Sequence, residues 1–183
     1  MKSITLNGLT LSHEQIVAVA YGASVELDES KLIAVAKTAE FLAEQVKQQQ
    51  PLYGVSTGFG SNADKLLGAH HIRASNKTDE TLLEELQRNL IITHAVCVGE
   101  PFSSEVVRAM MVIRINTLMR GHSGIRVETL QALTSMLNVG IVPIVPQLGS
   151  VGASGDLAPL SHLAIVMLGG GEAFYQGRRI PGA

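Results

Sequence analysis

SVGASGDLAPLSHLA, residues 150–164, is where an irregular stretch of this chain turns sharply into a helix. Gly152, Ala153, Ser154 and Gly155 carry almost no side chain, and no regular element favours such a run. Asp156 then stands where a helix wants an N-cap, and the apolar LAPLSHLA follows it. The stretch therefore predicts a bent arm followed by a helix from Asp156 to about Leu168. A flexible turn leading to an N-cap would explain it. A run of the smallest residues also lets the backbone fold back on itself closely enough to react.

Working outward, the rest of the chain reads as mainly helical. Ile4-Thr5-Leu6 and Leu9-Thr10-Leu11 flank Asn7-Gly8, which predicts a small β-hairpin. Ser12 with Gln15 is a capping-box pattern opening a short helix to about Tyr21. Asp28 or Ser30 caps a second helix, whose apolar positions Leu32, Val35, Ala39, Leu42 and Val46 keep helical spacing until Pro51. Periodicity then disappears over about 51–77, a long glycine-rich loop of the kind that usually serves a function. Thr78 or Asp79 begins a helix with Leu83, Leu86, Leu90, His94 and Cys97 on one side. Ser103 or Ser104 begins another with Val107, Met110, Met111, Arg114 and Leu118 on one side, closed at Gly121. A further helix runs from about Val127 to Asn138, with Gly140 beyond its end. Pro143 and Pro146 keep GIVPIVPQLGSVGASG extended, and EAFYQGRRI at 172–180 predicts a closing hairpin.

Bulk composition narrows the function classes. The chain has 183 residues, is 46% apolar and carries a formal charge of −2, with acidic and basic residues interspersed. That is long enough for a real core and offers no basic surface for nucleic acid or an anionic membrane. Aromatic residues make up 4%, so the core must come from aliphatic side chains and methionine. One cysteine excludes an internal disulfide, and the first fifteen residues lack the apolar core of a signal peptide, which together predict a cytoplasmic protein. The six histidines form no metal-binding pattern, so no metal is expected, and His70-His71 reads as a solvated pair. Phosphate-loop and G-x-G-x-x-G dinucleotide motifs are missing.

Three stretches could carry chemistry. LYGVSTGFGS at 52–61 sets Tyr53 in a loop whose glycines let a ligand approach the backbone, although a surface loop with one packed aromatic has the same look. LQRNLIITHA at 86–95 puts His94 on an apolar face, where a core histidine satisfied by its neighbours is the commoner occurrence. The third is GASGD itself. Arg114, on an otherwise apolar face, needs a buried partner or a route to water, and a structural ion pair is the plainer reading.

Taken together and in order, Tyr53 with TGFG, LQRNL..THA, VIRINTLMRGHSGIR, VPIVPQLGSVGASGDLAPLSHLA and GEAFYQGRRI resemble the N-terminal part of the aromatic amino acid and histidine ammonia-lyases. The resemblance runs from about Leu6 to Ala183, and GSVGASGDLAPL is its most specific element. It implies that Ala153-Ser154-Gly155 cyclises to 4-methylidene-imidazole-5-one (MIO), the Gly155 amide nitrogen attacking the Ala153 carbonyl with loss of two waters. Ser154 must be serine, because its eliminated hydroxyl leaves the exocyclic methylene. No external cofactor is then needed. The resemblance further implies loss of ammonia from an α-amino acid, with Tyr53 as general base and Gly60 near the substrate through its backbone.

Thr93-His94 matches the pair that reads the substrate side chain in the family, and this pair is most similar to that of the histidine enzymes. GFGSNAD at 58–64 is closer to phenylalanine enzymes, and histidine enzymes more often have Asn where Ser56 stands. Histidine is the first expectation, with phenylalanine, tyrosine or an aminomutase reaction as alternatives. The family's carboxylate-holding tyrosine and arginine and its Asn-Gly-Thr-Gln segment have no match within 1–183. The resemblance thus implies a helical N-terminal portion, inactive alone, of an enzyme that assembles as a homotetramer. The other class of reading is a non-catalytic module that self-associates through exposed apolar helix faces.

Overall fold

The computed structural model describes residues 3–58, 79–152 and 155–182, and only the backbone of 79–83. The order of its elements is β1 (Ile4–Leu6), α1 (His13–Ala20), β2 (Val25–Leu27), α2 (Glu29–Lys47), α3 (Asp79–His94), β3 (Val98–Pro101), α4 (Ser104–Leu118), α5 (Val127–Val139), β4 (Val142–Pro143), β5 (Pro146–Leu148), α6 (Leu157–Met167), β6 (Glu172–Tyr175) and β7 (Arg178–Pro181). It is mainly α, with the strands confined to small two- and three-stranded sheets.

Local sequence signals set most of the boundaries. Ser12 and Gln15 form the expected capping box at α1: the Ser12 hydroxyl accepts the Gln15 N–H, and the Gln15 side chain accepts the Ser12 N–H at 2.9 Å. Asp28 caps α2 by accepting the Ser30 N–H at 3.0 Å. That helix stops at Lys47, short of Pro51, because Gln49 turns left-handed at φ 55°. Gly140 closes α5 in the left-handed conformation at φ 84°. β6 and β7 pair antiparallel around Gln176-Gly177, both at positive φ, which is the turn that matches strand twist.

The N-terminal hairpin does not form. β1 pairs in parallel with β2, Ile4 opposite Val25 and Leu6 opposite Leu27, with α1 as the crossover between them. The reason lies in Asn7 and Gly8. The Asn7 side-chain oxygen accepts the Leu9 and Thr10 N–H groups at 2.8 and 2.9 Å, turning the chain locally toward Ser12. Gly8 donates its N–H to Asn116 Oδ1 at 2.9 Å, and a Cβ there would lie 2.8 Å from the Met119 and Arg120 backbone. Asn-Gly is thus spent on a close approach to the end of α4.

The core is built on α4, which packs against α1 and α5. Val107, Met111, Ile115 and Leu118 recur at helical spacing and are buried with Leu6, Val19, Leu130 and Leu137. Burying each such side chain contributes about 1.5–3 kcal/mol. One expectation about α4 is overturned. Arg114 is exposed; among the described residues Arg108 is the buried arginine, 9% accessible. Its Nε donates to Val19 O and one terminal nitrogen to Leu137 O, each at 2.9 Å, and the other terminal nitrogen to Ala23 O at 3.4 Å. Val19 and Leu137 lie at the C-terminal ends of α1 and α5, where the backbone carries partial negative charge. Arg108 falls within the buried face of α4, beside Val107, Met111, Val112 and Ile115, and its guanidinium is satisfied there by these carbonyls. A carboxylate partner is not what holds it.

Candidate active site

Tyr53 sits on a self-contained turn. The N–H groups of Val55, Ser56 and Thr57 all donate to Leu52 O, at 3.0–3.2 Å. Ser56 and Thr57 are buried. The Ser56 hydroxyl accepts the Leu52 N–H at 2.8 Å and donates to Gln50 O. Thr57 Oγ1 accepts the Gly54 N–H at 3.3 Å. Ser56 is therefore a structural member of the turn, and Tyr53, 66% exposed, is what the turn presents. Gly60 falls outside the described residues, as do Ala153 and Ser154.

Thr93 and His94 form the end of α3. Leu90 O can only accept a hydrogen bond, so His94 Nδ1, 2.8 Å away, carries the proton. In the neutral ring this leaves Nε2 as the nitrogen bearing a lone pair. Thr93 Oγ1 donates back to Asn89 O at 2.8 Å, and its oxygen keeps its capacity to accept. His94 is half-buried and Thr93 exposed, so the pair is not the fully enclosed core histidine that its apolar face suggested. Cys97, expected on the same side of the helix, lies beyond its end and is buried.

Gly155 lies in the turn ahead of α6, exposed, at φ 76°, where an added Cβ would meet open space but strained backbone. Asp156 stands at the N-cap position without capping: its backbone is left-handed at φ 57°, ψ 50°, and its carboxylate makes no side-chain bond to the helix. Instead it accepts a hydrogen bond from the Ser150 hydroxyl. Ser150 and Asp156 thereby bring together the two sides of the segment that contains Ala153-Ser154-Gly155. Gly152 and Gly155 are both left-handed, at φ 69° and 76°, so the backbone on either side of Ala153-Ser154 is sharply turned.

Two of these pieces are linked through α6. α3 packs on α6, and the Cys97 N–H donates to His162 Nε2 at 3.0 Å. His162 lies five residues into α6, about 8 Å of rise from its first residue. The end of α3 with Thr93-His94 is therefore tied to the middle of α6, the helix whose start carries Gly155. Burial pushes the His162 imidazole below its ordinary value and the Cys97 thiol above its own. Sequence reading missed His162, because nothing in LAPLSHLA distinguishes it from any half-buried helical histidine. A groove of about 460 Å³ lined by Tyr21, Glu105, Arg108 and Phe174 lies elsewhere and includes none of the expected site residues.

Comparison with known proteins places this chain in a family. The model of the family described as aromatic amino acid lyase matches residues 11–183. Histidine ammonia-lyase of Symbiobacterium thermophilum is 45% identical over all of this chain, which covers 34% of that protein. Among solved structures, histidine ammonia-lyase from Trypanosoma cruzi matches with a TM-score of 0.84 at 35% identity, over 99% of this chain and 33% of its own. Tyrosine aminomutase from Streptomyces globisporus matches with a TM-score of 0.86 at 34% identity, over 99% and 32%. The chain thus spans about a third of the length of the relatives it matches. Those relatives share its helical fold, and with their family model matching nearly its full length, the chain belongs to the aromatic amino acid lyase family.

Proposed function

We propose that the protein containing this chain eliminates ammonia from an L-amino acid, with L-histidine as substrate and trans-urocanate as product. The observation that carries the substrate choice is the chemistry at the end of α3. Thr93 Oγ1 and His94 Nε2 both remain as acceptors once their bonds to the helix are counted. A neutral imidazole ring brings one N–H donor to such a pair; a phenyl ring brings none. The names of the relatives support the same choice.

The elimination must remove a weakly acidic β-proton while an amine departs. Ala153, Ser154 and Gly155 have the atoms an MIO ring needs, and the turned backbone at Gly152 and Gly155 fits a tight closure. Formed there, the ring supplies an electrophile that makes loss of the amine possible. Tyr53 takes the β-proton as general base, and its presentation on a stiff turn suits a group that must meet substrate at fixed distance. Thr93 and His94 orient the side chain, and Gly60 lies close to substrate through its backbone. The N-terminus of α6 favours negative charge developing near Gly155.

The carboxylate clamp belongs to the part of the family's length that this chain does not span, so the chain alone does not complete turnover. The working protein is a cytoplasmic homotetramer with no need of metal, nucleic acid or membrane. Assay of the full-length protein on L-histidine, L-phenylalanine and L-tyrosine tests this reading. Preferential release of ammonia and urocanate from L-histidine supports it, with activity lost in Tyr53→Phe and Ser154→Ala. A β-amino acid product would show an aminomutase instead, and a stable oligomer without turnover on any of the three would show a non-catalytic module.

A further inference from the structure

Resting on that reading, we propose that His162 is a positioning residue: by accepting the Cys97 N–H it locks the end of α3 to α6 and holds Thr93-His94 in register with Gly155. At the end of α3 the Ala95 N–H still reaches Ile91 O at 3.0 Å and the Val96 N–H reaches His94 O at 2.9 Å. Cys97 comes next, is buried, and gives its N–H to the imidazole across to another helix. Only a ring nitrogen without a proton can accept it, so the bond fixes the neutral tautomer protonated at Nδ1. Desolvation of the ring favours the same neutral form.

A second contact meets Cys97 from another segment. A Cβ on Gly149 would lie 2.5 Å from Cys97 Sγ and 2.9 Å from its Cα, so the residue that follows β5 passes against Cys97 at backbone range. Val98 pairs with Leu148 in the same sheet. Cys97 is therefore held between α6 and the strand that leads into Ser150, and those are the two segments joined by the Ser150–Asp156 bond. Thr93 and His94 lie within four residues of this junction. Releasing it frees the last turn of α3 to shift relative to Gly155, and a displacement of about 1 Å in a positioned group can cost on the order of a hundredfold in rate.

The test is a pair of substitutions in the full-length protein. Glutamine places its side-chain oxygen near where Nε2 stands, whereas asparagine reaches only as far as Nδ1. His162→Asn is expected to raise the KM for L-histidine about tenfold or more, to lower kcat by less, and to reduce the preference for histidine over phenylalanine. His162→Gln is expected to recover within about threefold of the original on all three measures. Hydrogen exchange at the Cys97 amide should be slow in the original protein and in His162→Gln and fast in His162→Asn. The proposal is overturned if His162→Asn keeps its KM and selectivity within about twofold, or if His162→Gln is as impaired as His162→Asn. It is also overturned if the Cys97 amide of the unsubstituted protein exchanges as fast as an amide with no hydrogen bond, a readout that needs neither turnover nor a folded variant. An unsubstituted protein inactive on every amino acid removes the reaction itself, and with it the role of His162, even where the Cys97 amide is protected.

Discussion

Substituting Arg108 by methionine removes three hydrogen bonds from the centre of the helical packing while keeping most of the side-chain volume. The two at 2.9 Å, to Val19 O and Leu137 O, come from a charged donor, and such bonds contribute about 1.5–3 kcal/mol each. The third, to Ala23 O at 3.4 Å, is weaker. Two effects reduce the loss. Val19 O and Leu137 O keep a second donor each, the N–H of Gly22 at 3.0 Å and of Gly140 at 3.2 Å. Methionine also avoids desolvating a guanidinium, a cost visible in the way burial pushes the Arg108 pKa down. Against this stands the loss of a positive charge facing two helix C-termini. The balance is a destabilisation of about 2–3 kcal/mol, or about 5–10 °C in Tm. Arg114→Met, on the exposed side of the same helix, should fall within about 0.5 kcal/mol of the original. Urea unfolding followed by far-UV circular dichroism measures both. An Arg108→Met midpoint indistinguishable from the original, or a larger loss in Arg114→Met, would refute the reasoning.

Other outcomes follow from the same structure. Gly121→Ala places a Cβ 2.9 Å from the Ala34 carbonyl carbon at φ 68°, so it should cost more than about 2 kcal/mol in unfolding free energy; a neutral substitution would mean that α2 is not seated on this turn. His94→Phe in the full-length protein should move the ratio of kcat/KM for histidine over phenylalanine toward phenylalanine, and an unchanged ratio would remove His94 from substrate reading. Because burial lowers the pKa of His162 from 6.5, its contribution to stability is fully present above pH 6.5 and is lost as pH falls through the lower folded value. The group facing it across the bond is the Cys97 backbone amide, and the nearby thiol stays uncharged in this range. The unfolding midpoint should therefore fall more steeply with acidification in the original than in His162→Gln, and parallel slopes would contradict the assignment.

What the sequence conveyed well was whatever is decided within a few residues. The Ser12–Gln15 capping box, the Asp28 cap, Gly140 beyond α5 and the Gln176-Gly177 hairpin turn all act over short range, and all appear in the structure. Asn7-Gly8 misled because the same dipeptide that favours a hairpin also suits a close backbone approach, and its partner Asn116 lies 108 positions away. Arg108 carries no signal in the sequence because periodicity locates an apolar stripe but not the carbonyls that meet it; those belong to Val19, Ala23 and Leu137, on other segments. The link between Cys97 and His162 was invisible for the same reason, being a contact across 65 positions between a backbone amide and a ring nitrogen. Tyr53, Thr93, His94 and Gly155 were legible as candidates, and the structure adds their local hydrogen bonds: a turn closed on Leu52 O, two acceptors left at the end of α3, and a segment drawn together by Ser150 and Asp156.

The central claim is that Ala153-Ser154-Gly155 becomes an electrophile within this fold. Intact mass of the purified full-length protein, with the deficit mapped to the peptide containing residues 153–155, tests it most directly. The account predicts a mass lower than that of the encoded chain by two waters, confined to that peptide and absent from Ser154→Ala. A folded protein that carries the full encoded mass at that peptide would contradict it.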